Sequence, residues 1–195
     1  MKSLYNLPIK AKFGIIIIPL VLIIVFFDIF QIRHQFLDYQ DSKRLNKAII
    51  LGVEINHVVH EIQKERGISA GYLSTGGSRF SEELAEQRDH TDSTLNAYLS
   101  EVDNPSLNDL LELHNEDIDK LNTYFAKLTD IRGVVDNQSI TTEQTIDAYA
   151  EINDVALNTV NLLINESRDK EVTQEVHAMS YFLKSKEYAS IERAT

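Results

Sequence analysis

The chain has 195 residues, enough for a membrane segment and one domain of ordinary size, and it has no cysteine. That excludes disulfides, zinc–thiolate sites and thiol nucleophiles, and suits an oxidising compartment. The net charge is −11, and from Arg33 onward 16 Lys and Arg face 29 Asp and Glu, which excludes a basic footprint for nucleic acid or anionic lipid.

With seven glycines, three prolines and no long apolar–polar alternation, the pattern predicts an all-α protein. Phe13 to Phe27 carries no charged residue; Asp28 interrupts, and Ile29 and Phe30 complete the run. About 18–20 helical residues cross a hydrocarbon core. Lys2, Lys10 and Lys12 precede the run, so the positive-inside rule puts the N-terminus in the cytoplasm. The expected organisation is a cytoplasmic segment over 1–12 and a transmembrane helix over 13–31. A periplasmic helical domain follows over 32–195, anchored in a bacterial inner membrane. No small-x-small cleavage site follows the apolar run, which disfavours a signal peptide. Asp28 reads as an interfacial carboxylate, and Pro19 falls inside the membrane helix.

The membrane helix is expected to run on to about Leu73, where Ser74-Thr75-Gly76-Gly77-Ser78 signals a turn. A second helix spans about Phe80 to Val102, with Glu82 and Glu83 suited to its N-terminus. Asp103-Asn104-Pro105 breaks it. Ser106 then caps a third helix carrying Leu110, Leu111, Ile118, Leu121, Phe125 and Leu128, ending near Arg132-Gly133. Val134 to Ile140 reads as a loop. Thr141 with Gln144 forms a capping-box pattern for a fourth helix, to about Glu166. A fifth runs from near Lys170 to the chain end without a C-cap signal, so the domain is expected to continue past Thr195. These helices with short connections predict an antiparallel helical bundle behind the transmembrane helix.

One position breaks the pattern. Leu51, Ile55, Val58, Val59 and Ile62 form a helical stripe, and one more turn lands on Arg66, then Ser69, Ala70 and Leu73. A guanidinium aimed at a core needs an anion, from the protein or from outside. Arg88 lies on the stripe Phe80, Leu84, Leu95, Leu99. Arg193 continues the stripe Val172, Met179, Phe182, Leu183, one turn after Ala189 and Ser190. Internal pairing with Glu65, Asp92 and Glu192 is one reading of the three arginines. Convergence on a small planar oxyanion is the other, because guanidinium donates paired N–H bonds to flat anions. Gly67, Ser69, Ala70, Gly71, Ala189 and Ser190 would leave room for it. Arg79 in a turn and Arg132 at a helix C-terminus need no functional explanation.

His57 and His60 beside Glu61 lack a third ligand at useful spacing, so no metal is expected. No phosphate loop or nucleophile–base set is present, so neither catalysis nor a cofactor is expected. The asparagines of Asn137-Gln138-Ser139 and Asn165-Glu166-Ser167 match sequons of the kind chance supplies, and the aromatic residues read as core packing.

The segment His60 to Leu73, with Lys64-Glu65-Arg66-Gly67 and Ser69-Ala70-Gly71-Tyr72-Leu73, resembles the nitrate- and nitrite-sensing (NIT) family. So do Arg79-Phe80, Gln87 to Asp92 and Phe182 to Ala194, the last with Lys186-Glu187 and Glu192-Arg193-Ala194. The resemblance spans roughly Ile49 to Thr195. It implies a helical sensor module standing before an output domain, of methyl-accepting chemotaxis, kinase, cyclic-nucleotide or antiterminator type. It also implies nitrate or nitrite bound by arginines. Arg66 and Arg193 fall on the motif positions, Arg88 is added from its stripe, and Ser69 and Ser190 flank them. Tyr188 and Ser190 depart from the second motif's small Ala-Gly pair. The expectation is a membrane-anchored, homodimeric receptor for a small anion; a ligand-free helical stalk is the alternative.

Overall fold

The computed structural model describes residues 9–165 together with 178, 181, 182, 184, 185, 188 and 189. Val172, Met179, Leu183, Ser190, Glu192 and Arg193 lie outside the described residues. Among the described residues there are helices and no strand: α1 (Ile9–Ser74), α2 (Ser81–Val102), a 3-10 turn (Pro105–Leu107), α3 (Asn108–Leu111), α4 (Asn115–Asp136) and α5 (Thr142–Asn165). The all-α expectation holds. The chain divides into two units, Met1–Lys43 and Arg44–Thr195.

In the first unit, Ile18–Gln35 is long and apolar enough to cross a membrane, with mean hydropathy 1.5 and no residue buried. Pro19 stays inside the helix. Among the described residues, the large apolar side chains from Ile18 to Ile32 are exposed.

In the second unit the cross-helix contacts set the topology. Gln87 on α2 reaches Glu61 on α1, and the Phe80 ring lies against Gly71, so α2 runs antiparallel to α1. Arg88 meets Asp136, Arg132 meets Asp92, and Tyr98 meets Asn122, so α4 runs antiparallel to α2. Gly52 packs against Val160 while Ser69 approaches Tyr149, so α5 opposes α1. Among the described residues the result is an up-down-up-down arrangement of four long helices.

The core has an apolar end and a polar end. At the first, Leu51, Ile55, Ile62, Leu121, Ile152 and Leu157 are fully buried. Tyr98 stands edge-on to Phe125, with centroids 5.4 Å apart. Each such side chain contributes about 1.5–3 kcal/mol by leaving water. At the second, Glu65, Arg66, Ser69, Gln87, Thr91 and Thr145 take the same inward positions.

Four local features differ from the expectation. The third helix is not continuous: Asn104, not Ser106, caps the 3-10 turn, accepting from the Ser106 N–H at 3.0 Å, and the chain breaks again at Glu112–His114. Leu107, Leu110, His114 and Ile118 are all buried. Their spacing fits one unbroken helix equally well, so the break leaves no mark in the apolar pattern. At its other end α4 runs through Gly133 to Asp136 and buries Val135. On α2 the buried residues are Leu84, Gln87, Thr91 and Tyr98, while Leu99 is exposed and Arg88 sits at the flank. Phe182, expected on an apolar stripe, is exposed.

The Thr141 capping box forms as expected, with the Gln144 N–H donating to Thr141 Oγ1 and the Thr141 N–H to Gln144 Oε1, both at 3.1 Å. The α1–α2 turn uses left-handed backbone at Gly76, Gly77 and Phe80, with φ of 59°, 76° and 69°. At Phe80, which has a Cβ, that conformation is strained. It seats the ring where a side chain on Gly71 would come within 3.3 Å.

Candidate functional site

The polar end is built on the last turns of α1. After Ile62 the inward face continues with Glu65 and Arg66, 0% and 1% exposed, and then Ser69, 0% exposed. Adjacent helical residues diverge by about 100°, so two neighbours of opposite charge enter the bundle side by side.

Glu65 is held from two other helices. The Arg132 Nε donates to its Oε1 at 2.8 Å and Nη2 to its Oε2 at 2.9 Å, a bidentate pair from α4. From α5 the Tyr149 hydroxyl donates to Oε1 at 2.9 Å. On α2, Arg88 Nε stands 3.9 Å from the same oxygen, an ionic contact. The outer nitrogen of Arg132, Nη1, donates to Asp92 Oδ1 at 2.7 Å. Ser69 Oγ lies 3.5 Å from the Tyr149 hydroxyl. One carboxylate therefore gathers groups from α2, α4 and α5.

Electrostatics follow from this geometry. Burial would lower the Arg132 pKa, but the hydrogen bonds and charges of Glu65 and Asp92 override it and raise it, so the guanidinium stays charged. Burial, then the charge of Glu65, pushes the Tyr149 phenol up, so Tyr149 stays a donor at neutral pH. Next to the cluster, burial would raise the Glu61 carboxyl. Hydrogen bonds from Gln87 at 2.7 Å and Lys64 at 3.0 Å override it and hold it below the usual carboxylate range.

The expected site residues fall into three groups. Arg66 and Ser69 are buried on one face, as their stripe implied. Arg88 is part-buried at the flank of the core: its Nη1 donates to Asp136 Oδ2 at 3.1 Å and Nη2 lies 2.9 Å from Oδ1, while Nε and Nη2 are buried without a hydrogen-bond acceptor. Arg193 and Ser190 lie outside the described residues. Gly71, expected to leave room for a ligand, instead gives its space to the Phe80 ring, while Gly67 faces open space. Sequence reasoning missed Arg132 and Tyr149. Arg132 lies a full turn inside α4 and ties Glu65 to Asp92, so the helix-dipole explanation does not apply to it. The available signal was Glu65 itself, one residue from Arg66 and equally inward.

Beside the Arg132–Asp92 pair, a groove of about 190 Å³ opens between α2 and α4 over Leu95, Leu99, Phe125 and Thr129. Neither Arg66 nor Ser69 lines it. Among the described residues, no three His, Cys, Asp or Glu side chains gather as a metal site.

The second unit is thus a helical bundle with one end organised around buried arginine and carboxylate. Residues 57–195 match the family model described as "Nitrate and nitrite sensing" (NIT), and the chain belongs to that family. Among solved structures it is similar to the one titled "Structure of the NasR transcription antiterminator", with a TM-score of 0.70 and 25% identity. The similarity covers 88% of this chain and 46% of that one, so this chain spans about half of that structure's length. No curated protein matches the sequence.

Proposed function

We propose that this protein is a membrane-anchored sensor whose helical bundle binds nitrate or nitrite and passes the signal to a cytoplasmic output domain such as a methyl-accepting chemotaxis domain. The family match over residues 57–195 carries the reading. Arg66 supports it, as a buried guanidinium on the motif with Ser69 on the next turn. Arg66 and Arg193 are assigned as anion ligands, with Ser69 and Ser190 beside them. Arg88 is given a lesser part because Asp136 already engages it. The assembly is proposed to be a homodimer. The apolar helix Ile18–Gln35 and the lysines before it support a single pass with the bundle in the periplasm. A reporter fused after Thr195 is expected to work only if it functions in the periplasm; activity of a cytoplasm-only reporter there overturns the topology.

The sensor reading is tested on the full chain in detergent. Sodium nitrate or nitrite should stabilise it by RT ln(1 + [L]/Kd), about 2.7 kcal/mol at a hundredfold excess over Kd. Sodium chloride at equal ionic strength is the control, and Arg66→Met should abolish the difference. An equal response to chloride reduces the effect to screening and sinks the reading. One observation favours a ligand-free stalk instead: Arg132 is filled by the protein's own carboxylates, and Arg88 is ion-paired with Asp136.

A further inference from the structure

The ionic cluster raises a question that anion binding alone does not answer. Arg132 presents a forked guanidinium, the geometry that best fits a planar oxyanion. Yet both inner nitrogens of that fork are filled by Glu65, and the third by Asp92. Glu65 is fully buried, so its charge acts in a medium that screens poorly.

We propose that Glu65 is a specificity-determining residue: a built-in carboxylate that fills the Arg132 fork and thereby withholds that guanidinium from solvent anions. The inference rests on the reading of Arg66 as an anion ligand. Glu65, Asp92 and Asp136 carry three negative charges, and Arg88 and Arg132 two positive ones. These five groups alone are thus one charge negative, so the paired Arg88 and Arg132 guanidiniums offer an incoming anion no net attraction. Weakly bonding anions such as chloride gain too little where the forked guanidinium is already filled to compensate for lost hydration. A flat oxyanion gains directed hydrogen bonds as well. Glu65 sets this balance without touching the ligand, and Tyr149 holds its orientation from α5.

The sign of the effect separates this role from a structural one. Removing the Glu65 charge takes those five groups from one charge negative to neutral and frees the Arg132 fork, so anion affinity should rise while selectivity falls. A residue that merely supports the fold would lose affinity when replaced. The test titrates sodium nitrate, sodium nitrite and sodium chloride into the full chain in detergent, for wild type, Glu65→Gln, Asp92→Asn and Arg132→Gln. Glu65→Gln should bind nitrate about tenfold more tightly, from loss of one nearby charge, and should acquire a chloride response. Asp92 is half exposed, so Asp92→Asn keeps the fold and should shift affinity in the same direction by about twofold. Arg132→Gln should weaken nitrate binding. Unchanged or weaker nitrate binding in Asp92→Asn, or in folded Glu65→Gln, overturns the role of Glu65 while leaving the sensor reading intact. Wild type that binds neither nitrate nor nitrite overturns both.

Discussion

The two ends of the bundle use the same helices and the same inward register, but their cohesion differs in kind. Around Leu51, Ile55, Leu121 and Leu157 it comes from apolar area, which is additive and tolerant of direction. Around Glu65 it comes from four hydrogen bonds and ionic contacts that must all be made together. Losing one partner at the polar end strands another, whereas losing a methyl group at the apolar end only opens space. An end built this way contributes little net stability for its complexity, and a charge distribution in exchange.

The sharpest way to break the comparison is a repair experiment. Glu65→Leu alone leaves Arg132 and the Tyr149 hydroxyl without their acceptor and is expected to cost about 3–5 kcal/mol. Leu121→Ala at the apolar end should cost about 2–5 kcal/mol through lost transfer energy and a cavity. The singles look alike, so the second change decides. Glu65→Leu with Arg132→Leu should recover much of the loss, because a buried pair replaced by apolar groups is near neutral. Denaturant melts in detergent check this. A double variant no more stable than Glu65→Leu would mean that the polar end is cohesive in its own right.

A smaller effect sharpens the comparison from the alkaline side. Tyr98 at the apolar end and Tyr149 at the polar end both have raised pKa values, Tyr98 from burial, Tyr149 from burial and then from the charge of Glu65. A folded-state pKa above the unfolded one means that the native chain holds its proton longer. The stabilisation is therefore complete below the unfolded phenol value of about 10 and is lost as pH rises above it. Tyr98→Phe and Tyr149→Phe should each flatten this alkaline decline. Tyr149→Phe should in addition cost about 1–3 kcal/mol at neutral pH, by taking a donor from buried Glu65. Melts at pH 7 and above pH 10 check both, and an unchanged alkaline slope in either variant removes that residue from the account.

How much was legible follows the same division. The helices, the capping box at Thr141 and the inward Arg66 could be read from periodicity and cap chemistry, which are local. The burial of Gln87 and Thr91 could not, because periodicity counts apolar residues and takes a polar one for surface. That is why Arg88 was placed on the core stripe through Leu95 and Leu99. Arg132 was hidden by a single glycine. Reading Gly133 as a stop put Arg132 at a helix end, where a dipole accounts for it; three further residues of helix turned it inward. Tyr149 was counted as packing because nothing local tells a buried phenol from a buried ring with a partner. Each miss concerns a pairing between distant parts of the chain.

Those distances have a consequence in time. Glu65 is joined to Arg132 across 67 positions and to Tyr149 across 84. On a ribosome adding about 5–20 residues per second, the carboxylate is made roughly 4–17 s before its last partner exists. For that interval Glu65 and Arg66 lie on a newly made helix whose neighbours are not yet translated. The two charges that end up furthest from water therefore wait longest for the partners that take them out of it.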